Sequence, residues 1–209
     1  MQFIKQAKLL LGGLAVSLVL AGCANQLPTA TIHASKTTDI NNYEYLVGPG
    51  DVLNIFVWRN PEISGAFTVR PDGKITTSLV EDLHVAGLTP TEVARLAETV
   101  LGNYIKNPIV SVSVNGFIGP FSEQVRVIGQ ASQPMAVNYS KNMTLLDLMI
   151  AVGGLTEFAS GNRAKLIRVI EGKQVKYDLD IEDLINDGDI SKNVDLLPGD
   201  IIIIPEAWL

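Results

Sequence analysis

Side chains that could attack, move protons or hold a metal are few in this 209-residue chain: one cysteine, two histidines and a scatter of acids. His33 falls in the stretch read below as a tether, and His84 stands alone with no serine, cysteine or metal-ligand spacing to accompany it, so for His84 a solvated or structurally satisfied role outweighs catalysis. Two acid-x-acid doublets, Asp178-Leu179-Asp180 and Asp187-Gly188-Asp189, match the pattern by which many glycosyltransferases hold a metal and a sugar nucleotide. A two-residue match arises by chance in an acidic chain, and helix caps and turns are the simpler use of such residues. Neither doublet extends into a calcium loop, which needs a glycine and a closing glutamate at set spacing. Gly48-Pro49-Gly50 begins like a dinucleotide loop, but Leu53 stands where the third glycine belongs and a strand pattern follows instead of a helix. Asp51 and Asp200 read as turn residues. Trp58, Phe117, Phe121 and Tyr139 could stack on sugar rings, whose C–H faces suit aromatic faces, although core and loop packing is the commoner employment. The inventory yields no catalytic residue, no metal site and no cofactor site, and the chain reads as a binding module, not an enzyme.

The elements that would hold these residues fall into two units. Val52-Leu53-Asn54-Ile55-Phe56-Val57-Trp58, Phe67 to Arg70 and Lys74 to Leu79, the last after the turn Pro71-Asp72-Gly73, read as a short antiparallel sheet. Thr89-Pro90-Thr91-Glu92 carries a cap, a proline at the first helical position and a glutamate three residues past the cap, which starts a helix. Val93, Leu96, Ala97, Val100 and Leu101 share one face of it and pack on the sheet. Ile109 to Val114 alternates as a returning strand. Asn115 to Ser122, with two glycines and a proline, is a boundary or exposed loop.

In the second unit Val125 to Ile128 and Pro134 to Tyr139 are neighbouring strands. Thr144 opens a helix with Leu145, Leu148, Met149 and Val152 on its apolar face, ended by Gly153-Gly154. Lys165 to Ile170 and Gln174 to Tyr177 form a hairpin. Ile181 to Asn186 is a helical turn, and Ile201 to Ile204 a strand buried on both faces. Gly48-Pro49-Gly50-Asp51 is echoed by Leu197-Pro198-Gly199-Asp200, both suited to type II turns. The fold class is α+β, built from two small mixed α/β units.

The N-terminus has the layout of an export signal: Lys5 and Lys8, the apolar run Leu9 to Leu20, then Ala21-Gly22-Cys23. As a helix, Leu9 to Gly22 would reach only about 21 Å, against ~30 Å of hydrocarbon, so a permanent span is the weaker reading. The lone cysteine directly after Leu-Ala-Gly resembles the lipobox of bacterial lipoproteins, which implies cleavage before Cys23 and lipidation of its sulfur. More than one acyl chain gives lasting attachment, at about 0.8 kcal/mol per buried CH₂. Ala24 in place of an aspartate implies transfer to the outer membrane. Cleavage would remove two lysines and no acid, leaving 14 Lys+Arg against 22 Asp+Glu, a net charge of −8. Nucleic acid is a poor partner for such a chain.

Val47-Gly48-Pro49-Gly50-Asp51-Val52-Leu53-Asn54-Ile55, Val69-Arg70-Pro71-Asp72-Gly73-Lys74-Ile75, the Thr89 helix and Asn107-Pro108 together resemble the N-terminal domain of polysaccharide export proteins of the Wza type. Val125 to Gly129, Met143 to Leu148, Gly153-Gly154-Leu155-Thr156 and Leu197-Pro198-Gly199-Asp200 resemble the β-grasp SLBB domain that follows it. The expected organisation is a lipoprotein signal peptide over 1–22, a lipidated flexible tether over 23–42, an export domain over 43–116 and an SLBB domain over 123–205, with order beginning near Tyr43. The resemblance implies a homo-oligomeric ring on the periplasmic face of the outer membrane, held there by lipid. It would pass capsular polysaccharide or exopolysaccharide onward, coupled to an inner-membrane copolymerase that regulates chain length. Longer relatives carry a C-terminal pore helix. Only Glu206 to Leu209 follow Pro205 here, so the expectation is a short form acting as ring or adaptor for a separate outer-membrane protein, a β-barrel. The competing readings are a ligand-sensing SLBB lipoprotein that captures a small soluble molecule, and an enzyme acting on envelope glycans through the aspartate doublets.

Overall fold

The computed structural model describes residues 30–31, 33–37 and 39–208. The export signal, Cys23 and the first residues of the expected tether lie outside them.

The first unit is organised around β1 (Val52–Val57), whose alternation sends Leu53, Ile55 and Val57 into a core and Asn54 and Phe56 away from it. β1 pairs antiparallel with β2 (Gly65–Thr68) on one side and, beyond the small strands β3 (Lys74–Ile75) and β4 (Leu83–His84), with β5 (Val110–Asn115) on the other. The three-stranded sheet has the order β2-β1-β5, while β3 and β4 pair only with each other. The third predicted strand, Lys74 to Leu79, is therefore only two residues long and stands outside the main sheet. Helix α1 (Pro90–Leu101) starts at a reciprocal cap, Thr89 accepting from the Glu92 backbone and Glu92 from that of Thr89. It buries Val93, Ala94, Ala97 and Leu101, leaving Leu96 and Val100 half-buried. Its face is rotated slightly from the sequence expectation.

The second unit is a five-stranded mixed sheet of order β7-β6-β10-β8-β9. β6 (Gln124–Gly129) pairs antiparallel with β7 (Ala136–Asn138) and parallel with β10 (Ile201–Ile204); β8 (Ala164–Ile170) lies antiparallel to β10 and to β9 (Lys173–Leu179). Helix α2 (Leu145–Ala151) repeats the reciprocal cap with Thr144 and Asp147. It ends where Gly153 and Gly154 take φ of 76° and 81°, letting the Gly154 N–H reach the Met149 carbonyl at 2.8 Å. With α3 (Ile181–Ile185) it covers one face of the sheet, so Ile202 and Ile204 are buried with Leu145, Leu148 and Ile181. Ile201 and Ile203 are only half-buried. That corrects the expectation of a strand buried on both faces: an unbroken isoleucine run hides which side faces a helix.

Each unit has its own cluster of buried side chains, one around Leu53 and Ile75, the other around Leu145 and Ile202. Order also begins earlier than Tyr43. The Ser35 hydroxyl and the Lys36 N–H both donate to the Glu123 carboxylate, at 2.6 and 3.2 Å. Lys36 Nζ reaches the Gly87 carbonyl at 2.8 Å, and Lys141 Nζ that of Asn41 at 3.0 Å. Ser35, Lys36 and Asn41 are thus seated on both units, and the Glu123 carboxylate, only 6% exposed, takes from Ser35 and Lys36 donors that its own unit does not supply in full.

Candidate functional site

Two fully buried aspartates follow the two Pro-Gly turns. Gly48-Pro49-Gly50-Asp51 forms a turn in which Gly50 takes φ of 94° and the Asp51 N–H donates to the Gly48 carbonyl at 3.2 Å. Asp51 is fully buried. One carboxylate oxygen accepts from the Gly48 N–H at 2.8 Å and the Tyr45 hydroxyl at 2.5 Å; the other accepts from the N–H groups of Ile118 and Gly119 at 2.7 and 3.3 Å. A turn residue of the first unit therefore holds the connecting loop. Gly48 is required here by proximity: a Cβ on it would sit 2.0 Å from the Gly119 carbonyl carbon. Burial and then the bond to Asp51 push the Tyr45 phenol far above the usual tyrosine range, keeping it a donor.

Leu197-Pro198-Gly199-Asp200 repeats the geometry. The Asp200 N–H reaches the Leu197 carbonyl at 3.2 Å, its carboxylate accepts from the Leu197 N–H at 2.7 Å, and Gly199 takes φ of 84°. The carboxylate's remaining capacity goes to the Arg168 guanidinium, at 2.9 and 2.7 Å. The bond to Asp200 raises the Arg168 pKa against the opposing effect of burial. Neither aspartate is open to a ligand. Close by, Tyr43 stacks edge-on against Tyr139 with centroids 4.9 Å apart, and burial followed by the charge of Glu123 pushes its pKa up to about 12.

The structure does not bring the other candidates together. Asp178 pairs with Lys165 on the exposed face of the β8–β9 hairpin, Asp180 pairs with Lys192 at 2.7 Å, and Asp189 caps a short helical turn through the Ser191 N–H at 3.0 Å. Asp187 is exposed, as are His33 and His84. Among the described residues no cluster of His, Cys, Asp and Glu could hold a metal. Of the four aromatics, Tyr139 is core; Phe117 packs edge-on against Tyr45 at 5.4 Å; Phe121 is exposed in the connecting loop; Trp58 is exposed beside Phe56. Sequence reasoning missed Glu123 and Arg168, since a lone acid after a loop and one basic residue in a strand carry no spacing signal.

The geometry is that of two buried turn aspartates, one bracing the connecting loop and one bracing the second sheet, and comparisons with known proteins give it a context. Residues 39–115 match the polysaccharide biosynthesis/export protein family and residues 123–204 match the SLBB domain. The chain is 27% identical over 187 residues to the EPS I polysaccharide export outer membrane protein EpsA of Ralstonia nicotianae, covering 78% of this chain and 47% of that protein. It is 28% identical over 147 residues to the exopolysaccharide production protein ExoF of Rhizobium meliloti, covering 64% of this chain and 34% of the relative. The chain thus spans about half, or less, of the length of these relatives.

Proposed function

The chain belongs to the polysaccharide biosynthesis/export protein family, with one export domain and one SLBB domain, and from that footing we propose that it serves export of capsular polysaccharide or exopolysaccharide as a lipid-anchored module on the periplasmic face of the outer membrane. The carrying observation is the succession of both family domains across one chain, with the connecting loop held to the first by the buried Asp51 carboxylate. In this reading Cys23 holds the acyl chains, copies of the module assemble into a ring, and the ring hands polymer from an inner-membrane copolymerase to a separate outer-membrane protein. What supports the anchor is the signal layout ending at Cys23. Among the described residues no helix is long and apolar enough to cross a membrane. The work is passive: an acidic, hydrated surface guides polymer through weak contacts, because a tight site would stall a moving chain.

Deleting the gene and locating the polymer tests this. The proposal expects surface polysaccharide to fall and polymer to accumulate in the periplasm, with both restored by the wild-type chain. Unchanged secretion, or loss of synthesis with no periplasmic pool, contradicts it.

A further inference from the structure

The solvent face of the β2-β1-β5 sheet carries a groove that neither core uses. The register places Ala66 and Ser113 on either side of Asn54, and Ser111 beside Phe56. With Ser64 these residues line an open groove of about 370 Å³. Trp58 extends the row past Phe56, the two ring centroids 6.4 Å apart and the planes at 71°. The two residues are 55% and 51% exposed, so a large aromatic area lies in water at the groove's end.

The lining restricts what could cover it. None of the described lining residues is ionisable, although the chain carries a net charge of −6, so a charged partner finds no counter-charge here. An aliphatic protein surface would have to desolvate an asparagine amide and serine hydroxyls without replacing their hydrogen bonds. A hydrated, uncharged sugar chain meets both demands: its C–H faces suit the aromatic rings, and its hydroxyls exchange hydrogen bonds with amide and hydroxyl groups. The small side chain of Ala66, opposite Asn54, leaves room for a flat ring to approach the strand backbone.

We infer that this groove holds a short uncharged segment of the exported polysaccharide, with Phe56 and Trp58 stacking on pyranose rings and Asn54, Ser111 and Ser113 bonding to their hydroxyls. The inference rests on the export reading and deepens it by naming a polymer-contact site. An open groove gives rapid exchange, as a moving chain requires.

The chain has two tryptophans, so a Trp208→Phe background leaves Trp58 as the sole tryptophan, read by excitation selective for indole. The lipidated mature chain in detergent micelles is titrated with oligosaccharides made by partial hydrolysis of the strain's own exopolysaccharide. A saturable change in Trp58 emission is expected. Phe56→Ala and the groove-filling Ser113→Arg should each weaken it by roughly tenfold, whereas Ile150→Ala, on an exposed helix position, should leave it unchanged. No emission change, or equal binding by Phe56→Ala, overturns the inference. So does a change in sedimentation caused by Ser113→Arg, which would make the face a contact between copies. In cells the two claims separate: if deletion leaves secretion intact, the export reading fails; if deletion stops secretion but a normally folded Phe56→Ala/Trp58→Ala chain restores it fully, only the groove assignment fails.

Discussion

Asp51 shows how a residue can be read correctly and still be underestimated. Its turn is written in Pro-Gly-Asp, but its burial and its four donors are not, because two of them come from residues 118 and 119. Asp51→Ala would strand those donors, and we expect the mature chain to lose about 3 kcal/mol in a denaturant titration; a loss within ~0.5 kcal/mol would mean water replaces the carboxylate. Tyr45→Phe removes one donor to the same carboxylate and should cost about 1–2 kcal/mol at neutral pH. The wild-type phenol has a raised pKa when folded, so its contribution is complete below the unfolded value near ~10 and fades as pH rises beyond it. The gap between wild type and Tyr45→Phe should therefore narrow in alkaline denaturation series. Tyr139 poses the opposite case: its buried hydroxyl has no hydrogen-bond partner among the described residues. Tyr139→Phe should leave stability unchanged or raise it by up to about 1 kcal/mol in thermal melts; a clear loss would show that the hydroxyl is satisfied.

Elements were legible wherever local chemistry determines them. Both helix starts follow from a threonine with an acid three residues on, and both turns from proline before glycine. What could not be read is which strands pair across distance. β6 and β10 are adjacent and parallel although some seventy residues separate them, and β3 stays outside the main sheet and pairs with β4. The isoleucine run of β10 gave no indication of which face the helices cover. The Arg168–Asp200 pair, which braces the turn before β10 against β8, is likewise a tertiary fact, with side chains 19% and 1% exposed. Arg168→Met leaves a buried carboxylate without its counter-charge and should cost about 3–5 kcal/mol, while adding Asp200→Asn should recover part of that loss. A double-mutant cycle by chemical denaturation measures the coupling, and purely additive losses would show that the pair does not act as a unit.

For the whole molecule, the division into two cores follows the boundary that the loop rich in glycine and proline suggested. The seating of Ser35 and Lys36 was not legible, because they lack apolar periodicity and find their partner eighty-seven residues or more away in Glu123. The central claim is that lipid on one sulfur brings a water-facing module to the outer membrane in the service of polymer export. Cys23→Ser tests it most directly, with membranes fractionated on a density gradient and secreted polysaccharide measured from the same cells. The account predicts that the wild-type chain fractionates with outer membranes while the variant leaves them and secretion falls. A processed Cys23→Ser chain that still fractionates with outer membranes and sustains full secretion would contradict it.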